Sequence, residues 1–126
     1  MTQEQKDLLL KDLAARLPYG VKILVQSWDE REMEYTDRVD ILYSVNGDEY
    51  IKSANEDYDF SIEDIKPYLF PMSSMTEEQE KEWSYTLTSD GHITYDTVDW
   101  CNKNHFDYRG LIPMGLAIDA TNLNIY

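Results

Sequence analysis

Asn46-Gly47 separates two stretches of alternating residues, RVDILYSV (38–45) and EYIKS (49–53). Both residues tolerate positive φ, which makes the pair the strongest short-range signal for a β-hairpin. In the first stretch Val39, Ile41, Tyr43 and Val45 share a face, because side chains alternate along a strand. VKILVQSW (21–28) is a further strand candidate, with Val21, Ile23 and Val25 on one face. Leu24 makes its second face partly apolar, as in a strand covered on both sides. DEREMEYT (29–36) reads as a long hairpin connection or a solvated extension of the strand. Residues 21–53 therefore predict a three-stranded antiparallel meander.

Helices flank this meander. Thr2 and Gln5 have the spacing of a capping box. Leu9, Leu10, Leu13 and Leu17 follow as an apolar stripe, and Pro18-Tyr19-Gly20 stops the helix. In residues 55–75 Ser61 is a cap for a single turn. Pro67 and Pro71 forbid a long helix and a central strand, leaving an edge strand at Tyr68–Phe70. Thr76, Glu77, Glu78 and Gln79 open a second helix that runs to about Tyr85. Asp90-Gly91 marks a turn, with a short hairpin over 86–95. The expected fold is α+β in one domain, residues 1–126: an N-terminal helix, an antiparallel meander of three to four strands, two short helices and an ordered C-terminal tail. The sheet is either open or curled into a partly closed small barrel. Hairpin and proline signals argue against a parallel doubly wound sheet.

DTVDWCNKNHFDYRG (96–110) concentrates reactive residue types. Asp96 has N-cap character and Asp99 lies three residues later, so helix-start chemistry accounts for both. Val98, Cys101 and His105 fall at i, i+3 and i+7 on one face, which Trp100 widens into a buried stripe. Asn102, Lys103 and Asn104 suit the outer side and the helix end. Cys101 and His105 sit four apart, the spacing of a metal pair or a thiolate–imidazolium pair. A structural zinc site wants four ligands, and the chain holds only one other histidine, His92, and no second cysteine. No metal site, cofactor or catalytic set is expected. Gly-rich phosphate loops, G-x-S-x-G and H-E-x-x-H are all missing. An Asp107–Arg109 pair can lock the loop, and Tyr108 and Arg109 are candidate partner contacts, both types being enriched where binding energy concentrates. GLIPMGLAI (110–118) is apolar, but Pro113 bends it. It reads as a tail over the core that leaves Leu111, Ile112 and Met114 for an interface.

The net charge is −14, and seventeen of the twenty-five acids lie in residues 29–82, with only five of the eleven bases. Such a charge excludes nonspecific binding to nucleic acid or to an anionic membrane and favours a partner with a basic surface. Asp29, Glu30, Glu32, Glu34 and Asp37 are the candidate docking residues. NEDYDF (55–60) lacks the ligand pattern of an EF-hand. A second reading is a small-ligand pocket built from Trp28, Tyr43, Trp83 and Trp100. A third is an enzyme using Cys101 and His105. The lone cysteine rules out an internal disulfide. MTQEQKDLLL lacks the basic start and apolar core of a signal peptide, and no apolar run nears the ~20 residues of a membrane span, so a cytoplasmic setting is expected.

MTQEQKDLLLKDLAARLPYGVK, KPYLFPMSSMTEEQEKEW and DTVDWCNKNHFDYRGLIPMGLAIDA together make up about half of the chain. In these stretches it resembles small uncharacterised proteins of gut Bacteroidetes, their phages and mobile elements, a family with no assigned activity. The resemblance implies a bacterial or phage cytoplasmic origin and an accessory or host-interaction role. It carries over no site residue. Together these readings point to a non-enzymatic, acidic protein-interaction module that binds a basic host factor.

Overall fold

A computed structural model describes residues 1–126. Its first helix, α1 (Gln3–Arg16), starts as the spacing predicts. Thr2 Oγ1 accepts the Gln5 N–H at 3.1 Å, and Gln5 Oε1 accepts the Thr2 N–H at 2.9 Å. A 3-10 turn, Leu17–Tyr19, follows and ends on Gly20 at φ 66°.

The meander is present as β1 (Lys22–Asp29), β2 (Glu34–Val45) and β3 (Ile51–Ser53). β1 and β2 pair from Lys22↔Ile41 to Asp29↔Glu34. Half of residues 29–36 thus belong to strands, and the connection is only the turn 30–33, with Met33 at φ 53°. The second connection departs from expectation. Instead of a two-residue Asn-Gly turn, a loop spans 46–50, closed by Asn46 N–H to Tyr50 O at 2.9 Å. Asp48 O accepts the Ile62 N–H at 2.7 Å, and this tertiary bond holds the loop wide. β3 therefore begins at Ile51 rather than at residue 49.

β4 (Lys66–Leu69) pairs antiparallel with β1, and β5 (Ile118–Asp119) pairs parallel with β4. The order β3-β2-β1-β4-β5 is an open mixed sheet, not a barrel. β4 lies inside the sheet, not at its edge. Pro67 is tolerated there because alternate residues of a strand bond to opposite sides. Lys66 and Tyr68 face β1, while Pro67 faces β5 just before that ladder begins at Tyr68↔Ile118. The Tyr126 hydroxyl extends the β1–β4 ladder, accepting the Lys22 N–H at 2.9 Å and donating to Tyr68 O at 2.7 Å.

α2 (Glu77–Thr86) and α3 (Tyr95–Lys103) complete the fold. Thr76 and Gln79 form the capping box of α2. The N-cap of α3 is Thr94, not Asp96. Thr94 Oγ1 also donates to Thr86 O at 2.8 Å, tying the helix start to the end of α2. Asp90-Gly91 sits in a turn closed by Thr88 N–H to His92 O at 2.9 Å, without flanking strands. No helix is long and apolar enough to cross a membrane.

Leu9 and Leu13 of α1 share one core with Ile23, Val25, Leu42, Ile51 and Leu111. All of this lies on a single face of the sheet. Val39, Ile41 and Tyr43 point the other way and are 42%, 42% and 69% exposed. A bulge between Leu42 and Ser44 turns Val45 back toward the core, so the four residues do not share a face. Leu111 is buried and no part of an interface, Ile112 is half-buried, and only Met114 is exposed.

Candidate functional site

The 96–110 segment is a structural clasp. Leu9, Asp12, Leu13 and Arg16 fall at i, i+3, i+4 and i+7 of α1, so the apolar stripe carries two charged groups into the interior. Both are 0% exposed. Arg16 Nε donates to Asp12 Oδ2 at 2.9 Å, and Arg109 Nε donates to Asp12 Oδ1 at 3.2 Å. The remaining Arg16 nitrogens reach the end of α3, with Nη2 to Phe106 O at 2.6 Å and Nη1 to Cys101 O at 3.4 Å. A guanidinium there adds charged donors to carbonyls that also accept the N–H groups of Phe106 and Tyr108, and it complements the negative end of the helix.

Tyr108 and Arg109 belong to this clasp and are half-buried. The Tyr108 ring lies 5.4 Å from Arg16 Cζ and 4.8 Å from Arg109 Cζ, and its hydroxyl accepts from Arg109 Nη2 at 2.9 Å. Asp107 does not pair with Arg109. Its carboxylate is buried and accepts the N–H groups of Leu111 and Ile112 at 2.8 and 2.9 Å. Asn102 is buried too, rather than facing outward.

Cys101 and His105 do not form an activated pair. Burial pushes the thiol pKa up, against a smaller opposite pull from Arg16. His105 lies past the helix end at φ 63°, in the left-handed position that sequence assigns more naturally to Asn104. Its ring stacks on Tyr126 at 3.8 Å. Burial, then Arg16 and Lys22, push its pKa down to about 4. Near neutral pH the two side chains are a thiol and a neutral imidazole, the reverse of what nucleophilic catalysis uses. Nowhere do three or more His, Cys, Asp or Glu side chains gather as a metal would need.

Trp28, Tyr43, Trp83 and Trp100 do not meet in a pocket. Trp100 stacks on Phe106 with centroids 5.4 Å apart. Trp83 lines a cavity of about 100 Å³ with Met72, Ile93, Val98, Cys101 and Tyr108. That volume is below the several hundred Å³ of ordinary ligand pockets. Trp28 and Tyr43 lie toward opposite ends of the uncovered sheet face.

That uncovered face is the candidate site. Its cross-strand pairs are Trp28–Tyr35, Gln26–Asp37, Leu24–Val39 and Lys22–Ile41. Trp28 and Tyr35 meet edge to face at 5.1 Å, both well exposed. Gln26 Nε2 donates to Asp37 Oδ1 at 3.4 Å. A groove of about 300 Å³ continues from Leu24, Gln26 and Asp37 to Glu63, Asp64 and Lys66. Asp29, Glu30, Glu32, Glu34 and Asp37 all lie on this one projecting hairpin. Asp29 is half-buried and shapes its turn, accepting the N–H groups of Arg31 and Glu32. The other four are exposed. Eight of the ten tyrosines are exposed as well, a residue enriched where proteins meet.

Asp40 is buried on the core side of β2 at the point where β3 leaves it. Its carboxylate accepts from Ile41 N–H at 2.8 Å, Asn55 N–H at 3.0 Å and Asn55 Nδ2 at 2.8 Å. Burial works against its charge, yet these bonds, with the Ser53 hydroxyl close by, outweigh it and hold the pKa below the usual aspartate value. Comparison with family models, with curated proteins and with solved structures finds no match to this chain.

Proposed function

We propose that this chain is a non-enzymatic protein-interaction module that binds a partner with a basic surface through the β1–β2 hairpin. One observation carries the reading: the acids of residues 29–37 project on the same hairpin whose outer face exposes Trp28, Tyr35, Val39 and Ile41. Apolar and aromatic area supplies affinity, and the acidic surround steers and selects a cationic partner. The resemblance to small proteins of gut Bacteroidetes and their phages makes a bacterial or phage accessory protein acting in the cytoplasm the natural setting, with a host factor as partner. The test compares the native protein with a variant carrying Glu30, Glu32, Glu34 and Asp37 as lysines, in capture from a bacterial lysate at graded salt. A stoichiometric basic partner that leaves as salt rises, and that the variant fails to hold, supports the reading. Equal capture by both proteins overturns it.

A further inference from the structure

β2 is twelve residues long, but β3 covers only its last four positions. Leu42 N–H donates to Val21 O, which sets the phase of the β1–β2 ladder. Residues 34, 36, 38 and 40 therefore bond toward β1, and Tyr35, Asp37 and Val39 point their N–H and C=O groups away from it. Past β3, Ala54 N–H still donates to Ile41 O at 2.9 Å. Asp40 then takes both Ile41 N–H and Asn55 N–H and turns the chain off the edge. The departing loop crosses the core side of the hairpin, where Glu56 pairs with Arg38 at 3.1 Å and the Tyr58 hydroxyl donates to Gln26 O at 2.9 Å. None of its groups bonds to the main chain of Tyr35, Asp37 or Val39. An open strand edge about five residues long remains, close to the usual length of a strand.

We infer that this edge, Tyr35 to Val39, is a strand-addition site for an extended partner segment whose facing side chains, at every second position, run β-branched, basic, β-branched. The inference rests on the hairpin reading proposed above and adds the mode of binding. Main-chain hydrogen bonds to the three open residues supply register, and alternate side chains supply selectivity. Charge identifies the occupant. Glu34 and Asp37 lie along the edge as exposed acids, and the nearby cation, Arg38, is already paired with Glu56. A second copy of this chain would set acid against acid along the same edge, which disfavours self-pairing. A segment with Lys or Arg beside Asp37 and β-branched residues beside Tyr35 and Val39 matches both the charge and the exposed side chains.

The probe is an acetylated Lys-Val-Thr-Lys-Thr-Val-Lys peptide, whose two valines and central lysine share one face and one edge, used beside the same peptide N-methylated at those three residues. The two share charge and side chains, but the second cannot bond along one edge. Amide exchange of the full chain at low salt reads the outcome. The expected result is slowed exchange at Tyr35, Asp37 and Val39 with the first peptide, and roughly tenfold or weaker binding of the second. Equal binding of both peptides with no protection of those amides overturns strand addition and leaves charge-driven docking standing. No binding of either peptide also overturns it, while the lysine variant above judges the hairpin reading separately. Protection that appears without peptide and grows with protein concentration assigns the edge to a second copy and overturns the inference.

Discussion

Arg16 Nη2 donates to the carbonyl of Phe106, ninety residues along the chain, at 2.6 Å. Arg16 is fully buried, so this bond, the pair with Asp12 and the longer bond to Cys101 O stand in for water the guanidinium gives up. Removing one partner of a buried charge network leaves the other uncompensated, at a cost of ~3–5 kcal/mol. Arg16→Met is expected to destabilise the protein by that order, leave the Asp12 carboxylate short of its buried partner, and loosen the end of α3. Arg109→Met, whose side chain is partly exposed, is expected to cost about 1 kcal/mol. Urea denaturation of the two variants checks the ratio. Equal effects would mean that Arg16 is not the centre of the clasp.

The spacing that reveals this clasp was visible in the sequence. Asp12 and Arg16 lie on the stripe of Leu9 and Leu13, and charged residues at apolar positions of a helix signal a buried pair. What local pattern cannot supply is the partner, since Arg109 and Phe106 arrive from the far end of the chain. The meander and the starts of α1 and α2 were legible because hairpin phase and capping boxes are local chemistry. The direction of β2 was not. Alternation puts Val39, Ile41 and Tyr43 on one face, but which face meets the core is decided by α1 and by the bulge after Leu42. Tyr108 and Arg109 read as surface residues for the same reason: only the tertiary fold supplies Asp12. The five acids of residues 29–37 needed no tertiary information to be recognised as one group, because a single hairpin holds them.

His105 titrates in a window of its own. Its pKa in the folded chain, about 4, is below the usual 6.5, so the unfolded chain takes up the proton first. Its contribution is complete above pH 6.5 and is lost as pH falls from there to about 4, with a slope of at most about 1.4 kcal/mol per pH unit. Asp40 has a lowered pKa, so its contribution holds above the usual aspartate value and is lost only at lower pH. Denaturation midpoints at pH 7, 5.5 and 4.5 are expected to fall in the native protein and to fall less in His105→Gln. Parallel curves would show that the imidazole is not the group responsible.

Cys101 is expected to be inert in the folded state. It is 2% exposed and burial raises its pKa, so a thiol-specific aromatic disulfide at pH 8 should react only as fast as the chain opens. Cys101→Ala should cost about 1 kcal/mol through a small loss of packing and leave partner binding unchanged. Fast, stoichiometric labelling without unfolding would contradict the buried thiol and reopen the pairing with His105.

On the hairpin, charge and apolar area are expected to separate in the kinetics of partner binding. Glu30 and Glu32 lie in the exposed turn next to the Trp28–Tyr35 pair but take no part in its edge-to-face contact. Replacing both with Gln removes steering, so association should slow and the dependence on salt should flatten, with dissociation little changed. Tyr35→Ala removes the ring that packs edge to face on Trp28 and should instead speed dissociation at every salt concentration. A buried aromatic anchor is commonly worth ~2 kcal/mol or more, roughly a thirtyfold loss of affinity. Rates measured across a salt series separate the two contributions. If both variants slow association alone, the exposed aromatics take no part in the bound contact, and only the field of the acids attracts the partner.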